Sequence, residues 1–144
     1  MKIRQILDKK GRGVVTISPG ATVMDALQLL VANGIGSLVV LQGEEVVGIL
    51  TERDILRLAS RDPGKLRSES VESQMTQDLM VSLPSHDVQY VMEIMTRNRV
   101  RHLPVMDEGT LAGIISIGDV VNAVRQEVEA ENHRLRDYVQ GVVR

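Results

Sequence analysis

The chain of 144 residues sets 17 Lys and Arg against 19 Asp and Glu, a net charge of −2, and so lacks the positive excess on which a general nucleic-acid binder depends. With 43% hydrophobic and 25% charged residues it has the balance of a globular chain, which argues against disorder. Two Tyr with no Phe, Trp or Cys leave an aliphatic core and exclude disulfides, thiolate chemistry and Cys-based zinc sites, and the three His form no visible ligand cluster.

The first element is a short apolar prelude, Ile3-Ile6-Leu7, followed by Lys9-Lys10-Gly11-Arg12-Gly13, which lacks the spacing of a P-loop and reads as a flexible surface loop. A first strand over Val14-Val15-Thr16-Ile17 is expected next. Thr22 then caps a helix whose apolar residues Val23, Ala26, Leu27 and Leu30 recur at i, i+3, i+4 and i+7, and Asn33-Gly34 supplies the residue types that end a helix. Two strands joined by a tight turn follow, Leu38 to Leu41 and Val46 to Leu50, and a second helix runs from Thr51 to Ser60. The turn-rich stretch Ser60-Arg61-Asp62-Pro63-Gly64-Lys65 reads as a linker.

The pattern then repeats. Pro19 and Pro84, Asn33 and Asn98, Gly48 and Gly113, and Asp54 and Asp119 each differ by 65 (for example 119 − 54), so one gapless shift superposes the halves as a tandem duplication. The second copy has its own prelude, Val71-Met75, a strand at Leu79-Met80-Val81-Ser82, a helix capped by Asp87 and ended at Asn98, two strands, and a final helix from Ser116. The expected class is α/β (α+β), built from two strand-helix-strand-strand-helix units. The boundaries are residues 1–60 for the first repeat with its prelude, 61–70 for the linker, 71–125 for the second repeat and 126–144 for a C-terminal helical extension. The final helix carries Val121, Val124, Val128, Leu135, Val139 and Val142, a stripe that either packs back on its own domain or meets a second subunit. No apolar run approaches the roughly 18 residues that span a bilayer, and a cytoplasmic location is expected.

Chemistry concentrates in two places. Each copy ends its last strand with a hydroxyl and a carboxylate three apart, Thr51/Asp54 and Ser116/Asp119. Such a pair is close to a helix capping box, and it also suits a phosphate at the helix N-terminus with a ribose diol on the carboxylate. The second copy carries Arg97, Arg99, Arg101 and His102 where the first has Gly36 and Ser37, so phosphate-binding charge is concentrated on one side. No nucleophile, paired catalytic carboxylates or metal spacing emerges, and the chain is not expected to be an enzyme.

The two glycine-to-aspartate motifs, Gly48-Ile49-Leu50-Thr51-Glu52-Arg53-Asp54 and Gly113-Ile114-Ile115-Ser116-Ile117-Gly118-Asp119, together with Arg101-His102-Leu103-Pro104-Val105, resemble the cystathionine-β-synthase (CBS) domain. Over about residues 3–124 the chain is similar to a stand-alone CBS pair, or Bateman module. The resemblance implies two β-α-β-β-α lobes related by a pseudo-two-fold, with clefts between them for adenosine-containing ligands: AMP, ADP, ATP, NAD(H) or S-adenosylmethionine. It assigns ribose to Asp54 and Asp119, the phosphate vicinity to Thr51 and Ser116, and phosphate neutralisation to Arg101 and His102, with Arg53 as a source of charge in the first copy. It assigns the base to Ser18, Ala21, Gly36, Ser37 and Leu38, and to Leu83 and His86, and counts Leu103 among the nucleotide-binding residues. It further implies a regulatory homodimer read by a separate protein, with no catalytic cofactor, nucleic acid or membrane involved. The alternative is a dimerisation scaffold in which both motifs serve as helix caps alone.

Overall fold

A computed structural model describes residues 1–141, so Val142 of the apolar stripe and the last residues of the expected extension lie outside it. The chain divides into two compact units: Gly13–Met80 forms one, and Met1–Arg12 joins the chain from Val81 onward to form the other. Helices α1 (Ile3–Lys10), α2 (Val23–Asn33), α3 (Glu52–Arg61), α4 (Val71–Gln74), α5 (Val88–Asn98) and α6 (Ile117–Val139) alternate with strands β1 (Thr16–Ile17), β2 (Ser37–Gln42), β3 (Glu45–Thr51), β4 (His102–Asp107) and β5 (Thr110–Ser116).

In the continuous unit β1 pairs parallel to β2 and β2 antiparallel to β3. One face of the sheet meets α2, α3 and α4 in a core of Ile17, Val23, Ala26, Leu30, Leu38, Val40, Leu50, Ile55, Leu58 and Val71. The second unit repeats the arrangement with β4, β5, α5 and α6. Its core joins Ile3, Ile6 and Leu7 of α1 to Val88, Val91, Met95, Leu103, Val105, Ile115, Val120 and Ala123. Both hairpins carry a register shift at the same place, between Val40 and Leu41 and between Val105 and Met106, as a duplication requires.

The preludes are exchanged. Ile3 N–H donates to the His86 carbonyl and Arg4 N–H to the Pro84 carbonyl, both at 3.0 Å, which fastens α1 to the second repeat. In the other unit Val71 N–H donates to Ala21 O at 2.8 Å and Glu72 N–H to Pro19 O at 3.0 Å. The repeats are therefore units of sequence, while each compact unit takes its prelude from the other repeat. The exchange explains the motif glycines. A Cβ on Gly113 would sit 2.7 Å from Leu7 Cδ2, and one on Gly48 would collide with the Met75 side chain, so only glycine lets the prelude lie against the strand.

Several local expectations are corrected. The second copy's first strand reduces to a single bridge, Ser82 with Val105, in which Ser82 N–H donates to Pro104 O and Met106 N–H to Ser82 O, both at 2.9 Å. Asp87 makes no cap bond; its carboxylate pairs with Lys2 Nζ at 2.9 Å, and that hydrogen bond lowers its pKa. The left-handed residue that ends α5 is Arg99, φ 54°, where α2 ends on Gly34, φ 61°. The linker is folded, for Asp62 accepts from Gly64 N–H at 3.1 Å and starts a 3₁₀ turn, Pro63–Arg67, whose Leu66 packs on the core. Helix α6 runs for 23 residues, about 35 Å. Beyond Val124 it does not bury its stripe: Val128, Leu135 and Val139 are exposed by half or more.

Replacing Gly113 by Ala is expected to cost about 1–3 kcal/mol by overpacking, and Leu7→Ala about 2–5 kcal/mol by leaving a cavity. Because the new methyl meets the leucine itself, denaturant unfolding of the double variant is expected to show a loss smaller than the sum of the two single losses.

Candidate functional site

Both motifs sit where a strand turns into a helix, and the register fixes their neighbours. Ser37 pairs with Thr51 and His102 with Ser116, so the start of β2 or β4 lies beside the end of β3 or β5. The peptide before each strand is tied to the first turn of the helix, Glu52 N–H to Gly36 O at 3.0 Å and Ile117 N–H to Arg101 O at 2.8 Å. The two sites are built by the same bonds.

At each helix start the hydroxyl and carboxylate close a capping box. Thr51 N–H donates to Asp54 Oδ2 at 2.9 Å while Asp54 N–H donates to Thr51 Oγ1 at 3.3 Å. In the second unit Ser116 N–H donates to Asp119 Oδ2 at 2.9 Å and Asp119 N–H to Ser116 Oγ at 3.2 Å. The capping geometry is thus present in both copies, and it uses only one oxygen of each carboxylate. Oδ1 of Asp54 has Arg57 at 3.9 Å, and Oδ1 of Asp119 makes no hydrogen bond among the described residues. A half-committed carboxylate at the positive end of a helix dipole retains acceptor capacity for an incoming hydroxyl.

The structure gathers Gly36, Ser37, Thr51 and Asp54 in one unit and Arg101, His102, Ser116 and Asp119 in the other. Arg53 is exposed on the first turn of α3. Leu38 and Leu103 lie next to the motifs, but their side chains belong to the cores, leaving only backbone groups for a ligand. Four candidates lie away from the motif of their own unit. The parallel register of Ile17 with Val40 carries Ser18 level with Leu41 near the far end of β2, roughly 13 Å from the Ser37 end at ~3.3 Å per residue. Ala21 beyond it spends its carbonyl on Val71 N–H. Likewise the Ser82–Val105 bridge sends Leu83 toward Met106, where it lines a separate cavity of about 410 Å³ with Arg4, Arg12 and Asp107. His86 closes that turn, its Nδ1 accepting from Leu83 N–H at 3.1 Å. The segment that runs toward the Ser37 end is instead Gly13 to Val15, which the parallel pairing of β1 brings there.

The residue that sequence reasoning missed is Lys10. It forms the last turn of α1, and its Nζ donates to Asp119 Oδ2 at 2.6 Å and to Ile114 O at 3.0 Å. Burial alone would raise the Asp119 pKa, but the Lys10 hydrogen bond and the Ser116 N–H outweigh it and hold the carboxyl below its ordinary value. Among the described residues no lysine reaches Asp54, whose Oδ1 has only the more distant Arg57 at 3.9 Å. Matching the prelude bonds pairs Ile3 with Val71 and Leu7 with Met75, an offset of 68 (71 − 3, 75 − 7), not 65. Beyond that point the paths part: α1 continues one more turn to Lys10, whereas the chain after Met75 leaves the helix and bridges Ile49 through Thr76.

The CBS-domain profile matches residues 3–61 and 69–126. The chain belongs to the CBS-domain family. It is 40% identical over 125 residues to the mitochondrial CBS domain-containing protein CBSX3 of Arabidopsis thaliana, covering 83% of this chain but only 61% of that protein. A crystal structure of a CBS-domain protein from Agrobacterium tumefaciens is 40% identical, with a TM-score of 0.82 over 85% of this chain and 98% of the other. The CBS pair of protein MJ0100, solved with 5-methylthioadenosine and S-adenosyl-L-methionine, shares the fold at 22% identity and a TM-score of 0.77, over 88% of this chain and 98% of that one. Among the described residues no helix is long and apolar enough to cross a membrane.

Because the Asp119 pKa is lowered on folding, its stabilising contribution is complete above about pH 5 and is lost as pH falls through the lowered folded-state value. With both partners partly exposed the contribution is under about 1 kcal/mol. Chemical unfolding between pH 6 and pH 3 is expected to show a shallower acid loss for Asp119→Asn than for the unmodified chain.

Proposed function

We propose that this CBS pair is a regulatory module that binds an adenosine-containing ligand, AMP, ADP, ATP or NAD(H), and is itself not catalytic. The observation that carries the reading is the repeated carboxylate. Asp54 and Asp119 each commit one oxygen to their own helix start and keep the other outside the capping box, as a ribose hydroxyl requires. Thr51 and Ser116 stand at helix N-termini, where phosphate is favoured. Arg101, just before the strand start beside Ser116, and Arg53 in the first turn of α3 supply positive charge, and His102 offers a ring nitrogen next to Arg101. The adenosine compounds bound by the CBS pair of MJ0100 support the same ligand class.

Ligand binding signals by changing the lobe or dimer arrangement, which a separate protein reads; linkage demands that the ligand bind the two arrangements with different affinity. A homodimer is supported by α6, where Val121, Val128 and Leu135 recur every seven residues and are each about half exposed. The second reading, an interaction scaffold without a ligand, draws on the same capping boxes, which satisfy the helix ends unaided.

Thermal unfolding with AMP, ADP, ATP, NAD, NADH and S-adenosylmethionine separates the two. A ligand at about 100 times its Kd adds roughly 2.7 kcal/mol per site. A selective rise is expected, with Asp54→Ala and Asp119→Ala each removing part of it in protein shown to be folded. No rise with any of the six, in nucleotide-free protein, supports the scaffold instead.

A further inference from the structure

The geometry points to Lys10 as the residue that makes ligand recognition by Asp119 conditional on the ligand's own negative charge, so that the second motif takes a phosphorylated nucleoside and discriminates against the neutral one. The inference rests on the nucleotide reading above and deepens it. Lys10 Nζ lies 2.6 Å from Asp119 Oδ2, the oxygen that also accepts from Ser116 N–H, and it is held in place by Ile114 O at 3.0 Å. One ribose hydroxyl can take Oδ1, but the second hydroxyl of the diol reaches Oδ2 only by sharing it with that ammonium or displacing it. Lys10 is more than a third exposed, so water can receive its ammonium, but the ion pair with Asp119 is then lost. It is replaced only if the ligand brings an anionic group of its own, which a neutral nucleoside does not. A phosphate does.

The surroundings provide a place for it. A cavity of about 220 Å³ between α1 and α6 is lined by Lys9, Lys10, Asp119, Asn122 and Gln126. That is smaller than the roughly 300–1,000 Å³ of a pocket for a whole ligand of this kind, but ample for one phosphate, and two amines and two amides can donate to it. The lysine is delivered only because α1 runs one turn further than α4. The first motif therefore lacks this gate: among the described residues Asp54 Oδ2 accepts only from Thr51, through its N–H at 2.9 Å and its hydroxyl at 3.0 Å.

Equilibrium binding of adenosine and of AMP tests the assignment, in the full chain carrying Asp54→Asn so that the second motif is read alone. AMP is expected to bind at least tenfold more tightly than adenosine. Adding Lys10→Met is expected to shrink the ratio at least tenfold while adenosine binds as well or better, and Lys10→Arg is expected to keep the preference. If AMP binds and the ratio is the same with Lys10→Met, or if AMP and adenosine bind equally before any change at Lys10, the gate is overturned and the nucleotide reading stands. If the unmodified chain binds neither ligand, the nucleotide reading fails and the gate falls with it.

Discussion

The contact between a prelude and the last strand of the other repeat is the constraint on which the structure depends. Leu7 against Gly113 and Met75 against Gly48 let a side chain from one repeat press on the backbone of a strand from the other. Everything at the motifs lies a few residues downstream of those glycines. The strand passes under the prelude before it reaches Thr51 or Ser116, so that packing fixes where each capping box can lie. The aliphatic composition suits this arrangement, since Leu, Ile, Val and Met fill such a contact without a polar group to satisfy.

Much of this was legible in the residues. The 65-residue shift correctly matched the hairpins, their register irregularities and the two helix starts, because strands and helices of equal length preserve a gapless alignment. It failed at the preludes, whose bonds match with an offset of 68, and a prelude too short to show a full period gives no other sign of its partner. Lys10 was hidden for that reason: a lysine in a basic run looks like surface until the helix carrying it is known to lie across β5. Ser18, Ala21, Leu83 and His86 lie away from the motif of their own unit for a different reason. Their nearness to the motif depended on which end of β1, or of the Ser82 bridge, faces it, and parallel pairing sends the two ends of a strand in opposite directions. Pattern gives the strand; only register gives the end.

The two motifs show how duplication produces difference without altering the fold. The same box, the same tie from the strand start and the same hairpin recur, yet the charges around the carboxylates come from separate sources. Around Asp54 they come from its own helix, through Arg57 and Arg53; around Asp119 from a helix of the other repeat, through Lys10, and from the strand start. One extra helical turn is enough to change the electrostatic setting of a carboxylate whose backbone geometry is unchanged.

The exchange of preludes also bears on how the molecule is made. Residues 13–80 are contiguous, whereas the other unit is assembled from both sides of them. On the ribosome the first helix emerges ahead of every strand it will cover, so Ile3, Ile6 and Leu7 wait in water while an entire neighbouring unit is synthesised. Residues made before the whole of the neighbouring unit are buried only after it, and the nascent chain must keep that apolar turn from other partners until β5 and α6 arrive to receive it.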